Sequence, residues 1–241
     1  MRAPTATEAL GVWERGQGQS QTERGLALLG LADTQASWDT LADMPIGARD
    51  AMLLSLREAM FGQRLESCAD CPQCGALMEL DFTTRMLRAP PATGDTVAFN
   101  AGGMALTVRL VTSRDLLALD TSDPPQARME LLSRCLFAAA DGRATPVPAI
   151  LTETIAEAAA QALSLADPQA DVTINLTCAN CGHAWAAPFD ILSYLWTELD
   201  GWARRMLADI HTLARAYGWR EADVLALGPL RRKFYLEMAA S

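Results

Sequence analysis

One short device occurs twice in this chain: Cys71-Pro72-Gln73-Cys74-Gly75 and Cys178-Ala179-Asn180-Cys181-Gly182. A C-x-x-C turn aims both sulfurs at one point, and the glycine after the second cysteine supplies the left-handed backbone that the turn needs. Two such turns brought together make a tetrahedral four-thiolate site, closed and without an open position for substrate. About a hundred residues separate the copies, farther than ordinary zinc-ribbon spacing. A shared ion therefore forces the N-terminal part of the chain against its C-terminal part. The expectation is one structural Zn2+ held by Cys71, Cys74, Cys178 and Cys181.

The other cysteines need separate readings. Cys68, Cys71 and Cys74 are spaced like part of an iron–sulfur run, but the fourth cysteine with a following proline is missing. Pro72 and Gly75 complete the later pair, which leaves Cys68 as a spare thiol or an alternate metal ligand. Cys135 shares an apolar helix face with Leu132 and Leu136 and reads as a buried structural residue. His183 follows Cys181 too closely to share the ion comfortably, and His211 reads as a helix-boundary residue.

The chain has 241 residues, half of them hydrophobic, so it can bury a substantial core. Its formal net charge of −9 argues against a nucleic-acid backbone as main partner. No apolar stretch approaches the ~20 residues of a membrane span, and the N-terminus lacks a signal-peptide core. A cytoplasmic location is expected, where cysteines stay reduced and bind metal before they pair.

Residues 1–21 are rich in Gly, Gln, Ser and Thr, carry a lone Trp13, and read as a flexible arm. Residues 22–66 read as a helical segment. Thr22 and Glu23 open an apolar run, Ser37 caps a short turn, and Pro45 starts a stronger helix that Gly62 ends. Residues 67–187 read as a zinc-ribbon-like unit interrupted by an insertion over 88–170. Within it, 77–82 alternates as a strand does, and 96–99 and 104–110 flank a glycine-rich hairpin turn. Thr112 or Ser113 caps a short helix, and Pro124 and Pro125 open another over 126–140. A loop over 141–148 and an Ala-rich helix over 149–165 complete the insertion. Val172, Ile174 and Leu176 lie on a strand that leads into Cys178.

Residues 188–241 read as helical. Pro188 suits a first helical position. Leu192, Leu195, Leu199, Trp202, Met206, Ile210, Leu213 and Tyr217 then form one apolar stripe. Gly218 ends that helix, and two short helices follow. The predicted class is α+β: a small β-rich zinc-ribbon-like unit with a long insertion, surrounded by α-helices, with a long C-terminal helix followed by two short ones.

Catalytic signatures are missing. The sequence has no phosphate-binding glycine loop, no G-x-S-x-G, no H-E-x-x-H and no Rossmann fingerprint. A zinc-bound thiolate is also a poor redox nucleophile. An enzyme is not expected.

The C-terminal stretch combines Ile210-His211-Thr212-Leu213-Ala214, a Tyr217-Gly218-Trp219 corner, a short acidic segment and Arg231-Arg232-Lys233 beside Tyr235. One reading is a helical cap in which Tyr217, Trp219 and Tyr235 pack on the core. The other is a docking segment using Tyr217, Trp219, Arg231, Arg232, Lys233 and Tyr235, because aromatic and arginine residues commonly anchor interfaces. Together with Ile46-Gly47-Ala48-Arg49-Asp50, Leu56-Arg57-Glu58, the first knuckle, the stretch 109–116 and Phe189-Asp190-Ile191, this tail resembles baseplate proteins and baseplate hub assembly chaperones of contractile phage tails and contractile injection systems. The resemblance covers most of the chain after about residue 23. It implies a non-enzymatic role in forming or assembling a baseplate, partners among baseplate, hub or spike proteins, and incorporation in a phage-like particle. The competing expectation is a zinc-ribbon adaptor for another protein or a nucleic acid, approached through Arg231, Arg232 and Lys233. The acidic net charge opposes its nucleic-acid arm.

Overall fold

The computed structural model describes residues 2–140, 143–146 and 151–240. Four helices come first: α1 (Ala6–Arg15), α2 (Gln21–Ala32), α3 (Trp38–Ala42) and α4 (Ile46–Phe61). The ribbon β1 (Arg64–Asp70) and β2 (Leu77–Thr83) carries the first knuckle at its tip. The insertion holds β3 (Thr96–Ala101), β4 (Met104–Arg109), α5 (Ser113–Leu117), α6 (Pro124–Cys135), β5 (Leu136–Ala140), β6 (Arg143–Pro146) and α7 (Glu153–Ala166). A second ribbon, β7 (Thr173–Thr177) and β8 (Ala184–Pro188), carries the second knuckle. The chain closes with α8 (Ile191–Tyr217), α9 (Glu221–Leu225) and α10 (Pro229–Ala239). The class is α+β, with small antiparallel sheets among helices.

The main core lies between α2, α4 and α8. Leu28, Leu29, Leu53, Leu56, Leu195 and Leu199 are fully buried there. Burying each such side chain contributes roughly 1.5–3 kcal/mol, so α8 is held by its apolar stripe rather than by helix propensity. Gly218, at φ +68°, ends α8 in the left-handed conformation that glycine adopts without strain. α9 and α10 then fold back on the second half of α8, where Leu10, Met206, Leu213 and Val224 form a separate cluster.

The insertion has its own core. Its sheet runs in the order β3-β4-β5-β6, and α6 and α7 bury Leu106, Val108, Leu132, Cys135, Leu136 and Ile155. The β3–β4 turn is the two-glycine type expected, with Gly102 and Gly103 both at positive φ.

Several sequence expectations need correction. The first 21 residues are not simply a flexible arm. Thr5 and Glu8 form a capping box for α1, and Ser20 and Glu23 form another for α2. Ala9, Leu10 and Val12 are buried, and Trp13 Nε1 donates to Asp200 Oδ1 at 2.8 Å. The strand β1, including Cys68, was not expected; it pairs with β2 along its full length. The helix expected over 126–140 stops at Cys135, where Leu136 turns into β5 and pairs with β4. Sheet pairing overrides the helix preference of the alanines at 138–140. Part of the loop expected over 141–148 is β6, paired with β5; positions 141, 142 and 147–150, including the expected helix start at Ala149, lie outside the described residues. Pro188 ends β8 opposite Thr173 and does not open α8. That helix starts behind Asp190, whose carboxylate accepts the Leu192 N–H at 2.9 Å. No helix among the described residues is long and apolar enough to cross a membrane.

Candidate metal centre

The two knuckles are the same turn built twice. In the first, the Cys71 N–H donates to the Ala76 carbonyl at 3.0 Å, and the Gly75 N–H donates to the Cys71 carbonyl at 2.8 Å. In the second, the Cys178 N–H donates to the His183 carbonyl at 2.8 Å, and the Gly182 N–H donates to the Cys178 carbonyl at 2.9 Å. Gly75 and Gly182 sit at φ +69° and +73°, where a side chain would be strained.

The turns face each other. The Sγ atoms of Cys71 and Cys181 lie 3.7 Å apart, and those of Cys74 and Cys178 lie 3.6 Å apart. All four sulfurs fall within 4.8 Å of one another, close enough to hold one metal ion. A tetrahedron with Zn–S bonds of about 2.3 Å has sulfur–sulfur edges of about 3.8 Å. The donor set therefore suits a soft, four-coordinate ion in both size and chemistry, and zinc is compatible with it. Cys71 and Cys178 are buried, whereas Cys74 and Cys181 lie at the surface.

The two surface thiols, Cys74 and Cys181, shift in opposite directions. The Ala76 N–H, and then the Asn180 amide 3.6 Å from its sulfur, draw Cys74 down to about 6. The His183 N–H pulls Cys181 the same way, but desolvation and the other three sulfurs outweigh it and push Cys181 up to about 12. Thiolates this close oppose one another's ionisation; a bound cation lets all four deprotonate.

Cys68 stands outside the group, exposed on β1 opposite Glu79. Cys135 is fully buried, and burial first, then the nearby Asp115, pushes its thiol up to about 11. His183 stacks on Trp185 with centroids 5.8 Å apart, and neither it nor His211 joins the cysteine group.

A second set of contacts joins the centre to the helical body. The Tyr194 hydroxyl on α8 donates to the Glu66 carbonyl at 2.8 Å and accepts the Glu66 N–H at 3.1 Å. Arg57 on α4 forms a two-pronged ion pair with Glu198 at 2.8 and 2.7 Å and donates to the Gly62 carbonyl at 2.6 Å. Its guanidinium also lies over the Tyr194 ring, 5.7 Å from the centroid. Phe189 packs edge-on against Phe82, bringing the second ribbon against the first. Sequence reasoning missed Tyr194, Glu198 and Asn180. Asn180 alone carried a signal, as a polar residue inside the knuckle.

The C-terminal residues divide between two surfaces. Tyr217, Trp219 and Tyr235 pack on one another with centroids 4.8–6.0 Å apart. Arg232 is mostly buried and pairs with Asp209 at 3.2 Å. Arg231 and Lys233 are exposed.

Fold and site together define an α+β protein in which two distant C-x-x-C turns meet in one four-cysteine cluster. The chain belongs to the T4 bacteriophage base plate protein family, whose model matches residues 27–196. The matched span contains both knuckles and the whole insertion, and it stops inside α8. Comparisons with curated proteins and with solved structures give no match.

Proposed function

We propose that this chain is a non-catalytic scaffold or assembly protein of a phage-like contractile particle, with one structural zinc bound by Cys71, Cys74, Cys178 and Cys181. The family match carries this reading, because it spans both halves of the cysteine centre. A closed four-thiolate site offers no position for substrate, so the ion would supply rigidity rather than Lewis-acid chemistry. Its partners on this reading are other baseplate, hub or spike components. The nucleic-acid alternative loses support because Arg232, one of its three cations, is already paired with Asp209.

Finished particles and assembly intermediates from producing cells provide the test. Antibody against the chain should detect it in one or both fractions. Detection in finished particles makes it a permanent component, and detection only in intermediates makes it an assembly chaperone. Its absence from both fractions overturns the reading.

A further inference from the structure

The helix α10 has two apolar faces, and only one of them is used. Tyr235 and Leu236 pack inward on the cluster around Leu213 and Val224, and Arg232 on the same side holds Asp209. Leu230, Phe234 and Met238 follow one another at steps of four, on nearly the opposite side of the helix. They are 68%, 57% and 57% exposed, and α10 buries no residue completely. A helix that only capped the core would carry polar residues on that outer side.

Charge narrows what can cover this face. Arg231 and Lys233 are both exposed and flank the stripe; Glu237, the one acidic residue of α10, lies 3.9 Å from the Lys233 Nζ in a solvent-exposed i,i+4 pair that contributes little and leaves Lys233 accessible. The rest of the chain is acidic enough to leave a net charge of −9. A second copy of α10 would bring one basic helix against another. Three side chains also cannot supply the ~800 Å² per partner of a standard interface, so a simple α10–α10 crossing would be too small. A groove that wraps the helix gains more area and reaches both cations.

We propose that the outer face of α10 docks into an apolar groove with an acidic rim on another component of the same particle. Leu230, Phe234 and Met238 are the anchors, and Arg231 and Lys233 meet the rim. The proposal rests on the baseplate reading above and deepens it. It moves the docking surface away from Trp219, Tyr235 and Arg232, which the fold uses internally.

The test uses the full chain, tagged and co-expressed with the baseplate, hub and spike proteins of its own particle. Phe234→Asp and Leu230→Asp should each reduce capture of one such component by about tenfold or more, with an unchanged thermal midpoint. Arg231→Glu with Lys233→Glu should weaken capture and flatten its dependence on salt. Leu236→Asp, on the inner face, should instead lower the midpoint. Equal capture by wild type and Phe234→Asp overturns the docking proposal and leaves the baseplate reading standing. A wild-type dimer that Phe234→Asp splits into monomers makes a second copy the occupant and also overturns the proposal. If the wild type captures no particle protein, the proposal falls, and the particle-fractionation experiment decides separately whether the baseplate reading falls with it.

Discussion

The Asp167 carboxylate accepts the backbone N–H of Gly47 at 2.9 Å, across 120 residues of sequence. Asp167 closes the insertion and Gly47 opens α4, so this bond locks the inserted domain to the helical core. Three further bonds brace the same junction. The Ile46 N–H donates to the Val111 carbonyl at 2.9 Å, and the buried Gln169 amide bridges the Leu87 carbonyl and the Ala89 N–H at 3.1 and 2.8 Å. Asp167 serves α4 as an N-cap would, although it comes from a distant part of the chain.

Position 47 therefore strongly favours glycine as long as Asp167 holds this place. A Cβ there would lie 1.8 Å from Asp167 Oδ1, inside any tolerable contact. Gly47→Ala should cost about 1–3 kcal/mol in urea unfolding. Asp167→Ala should cost about 1 kcal/mol through the lost cap. In the Asp167→Ala background, the Gly47→Ala penalty should largely vanish, because the clashing carboxylate is gone. Strict additivity of the two changes would show that the contact is not what constrains the site.

Asp50 predicts a pH dependence. It is buried beside Arg49, with its carboxylate 2.7 Å from the Arg49 Nε. Burial pushes its pKa up from 3.8 to about 6 against the pull of Arg49, and Asp190 and Asp167 add to the rise. A carboxyl group with a raised folded-state pKa binds its proton more tightly when folded. Its contribution is thus fully present below pH 3.8 and is lost as pH climbs to about 6. At roughly 1.4 kcal/mol per unit, the loss is about 3 kcal/mol. Asp50→Asn should match the wild type in urea midpoint below pH 3.8 and exceed it increasingly as pH climbs to about 6, the difference between the two isolating Asp50 from every other titrating group. An NMR titration that places Asp50 near 4 would remove the basis for this expectation.

The long helix offers a paired test of burial. Leu199 is fully buried, whereas Leu207, two turns later, is 37% exposed. Leu199→Ala should cost about 2–5 kcal/mol by transfer and cavity terms together. Leu199→Asp should unfold or aggregate the chain. Leu207→Asp should remain soluble with a midpoint near that of the wild type. A folded, stable Leu199→Asp variant would mean that the stripe does not hold α8 to the core.

The sequence was most legible where chemistry or backbone geometry is local. The paired knuckles, the Gly102–Gly103 turn, the Ser37 cap and the Gly218 stop all follow from residue types at fixed spacing. Partners far along the chain were not legible. Nothing near Gly47 announces that its N–H will be capped by Asp167, and nothing near Tyr194 points to Glu66. Where propensity opposed pairing, propensity lost: the run at Ala138, Ala139 and Ala140 favours helix, yet it lies in a strand beside β4. The N-terminus shows the reverse error. Its composition suggested a flexible arm, while Thr5 with Glu8 and Ser20 with Glu23 already spelled two capping boxes. The C-terminal segment was legible as aromatic and basic, but not in which side chains face inward.

The cysteine centre gives the most demanding prediction. Protein made without added zinc should carry close to one equivalent, with no iron–sulfur absorbance. The two cysteine pairs lie on either side of the insertion, so an ion bound between them would close a loop of 104 residues between Cys74 and Cys178. By analogy with a covalent cross-link of that length, closure restricts the unfolded chain by about 4–5 kcal/mol. A strong chelator should therefore lower the melting temperature of the whole protein and not merely loosen one ribbon. Cys71→Ser and Cys178→Ser should each lose metal and stability together, because each removes a buried ligand. Cys68→Ser should keep the full equivalent, since that thiol lies on β1 outside the group. Cys135→Ser should also keep the metal while costing stability through the insertion core, where the new hydroxyl would sit fully buried. Acid should release the ion as the thiolates take up protons, so metal content and melting temperature should fall together below neutral pH. A protein that melts identically with and without chelator, or that loses metal on Cys68→Ser and keeps it on Cys178→Ser, would show that the four facing sulfurs are not the ligands that tie the chain together.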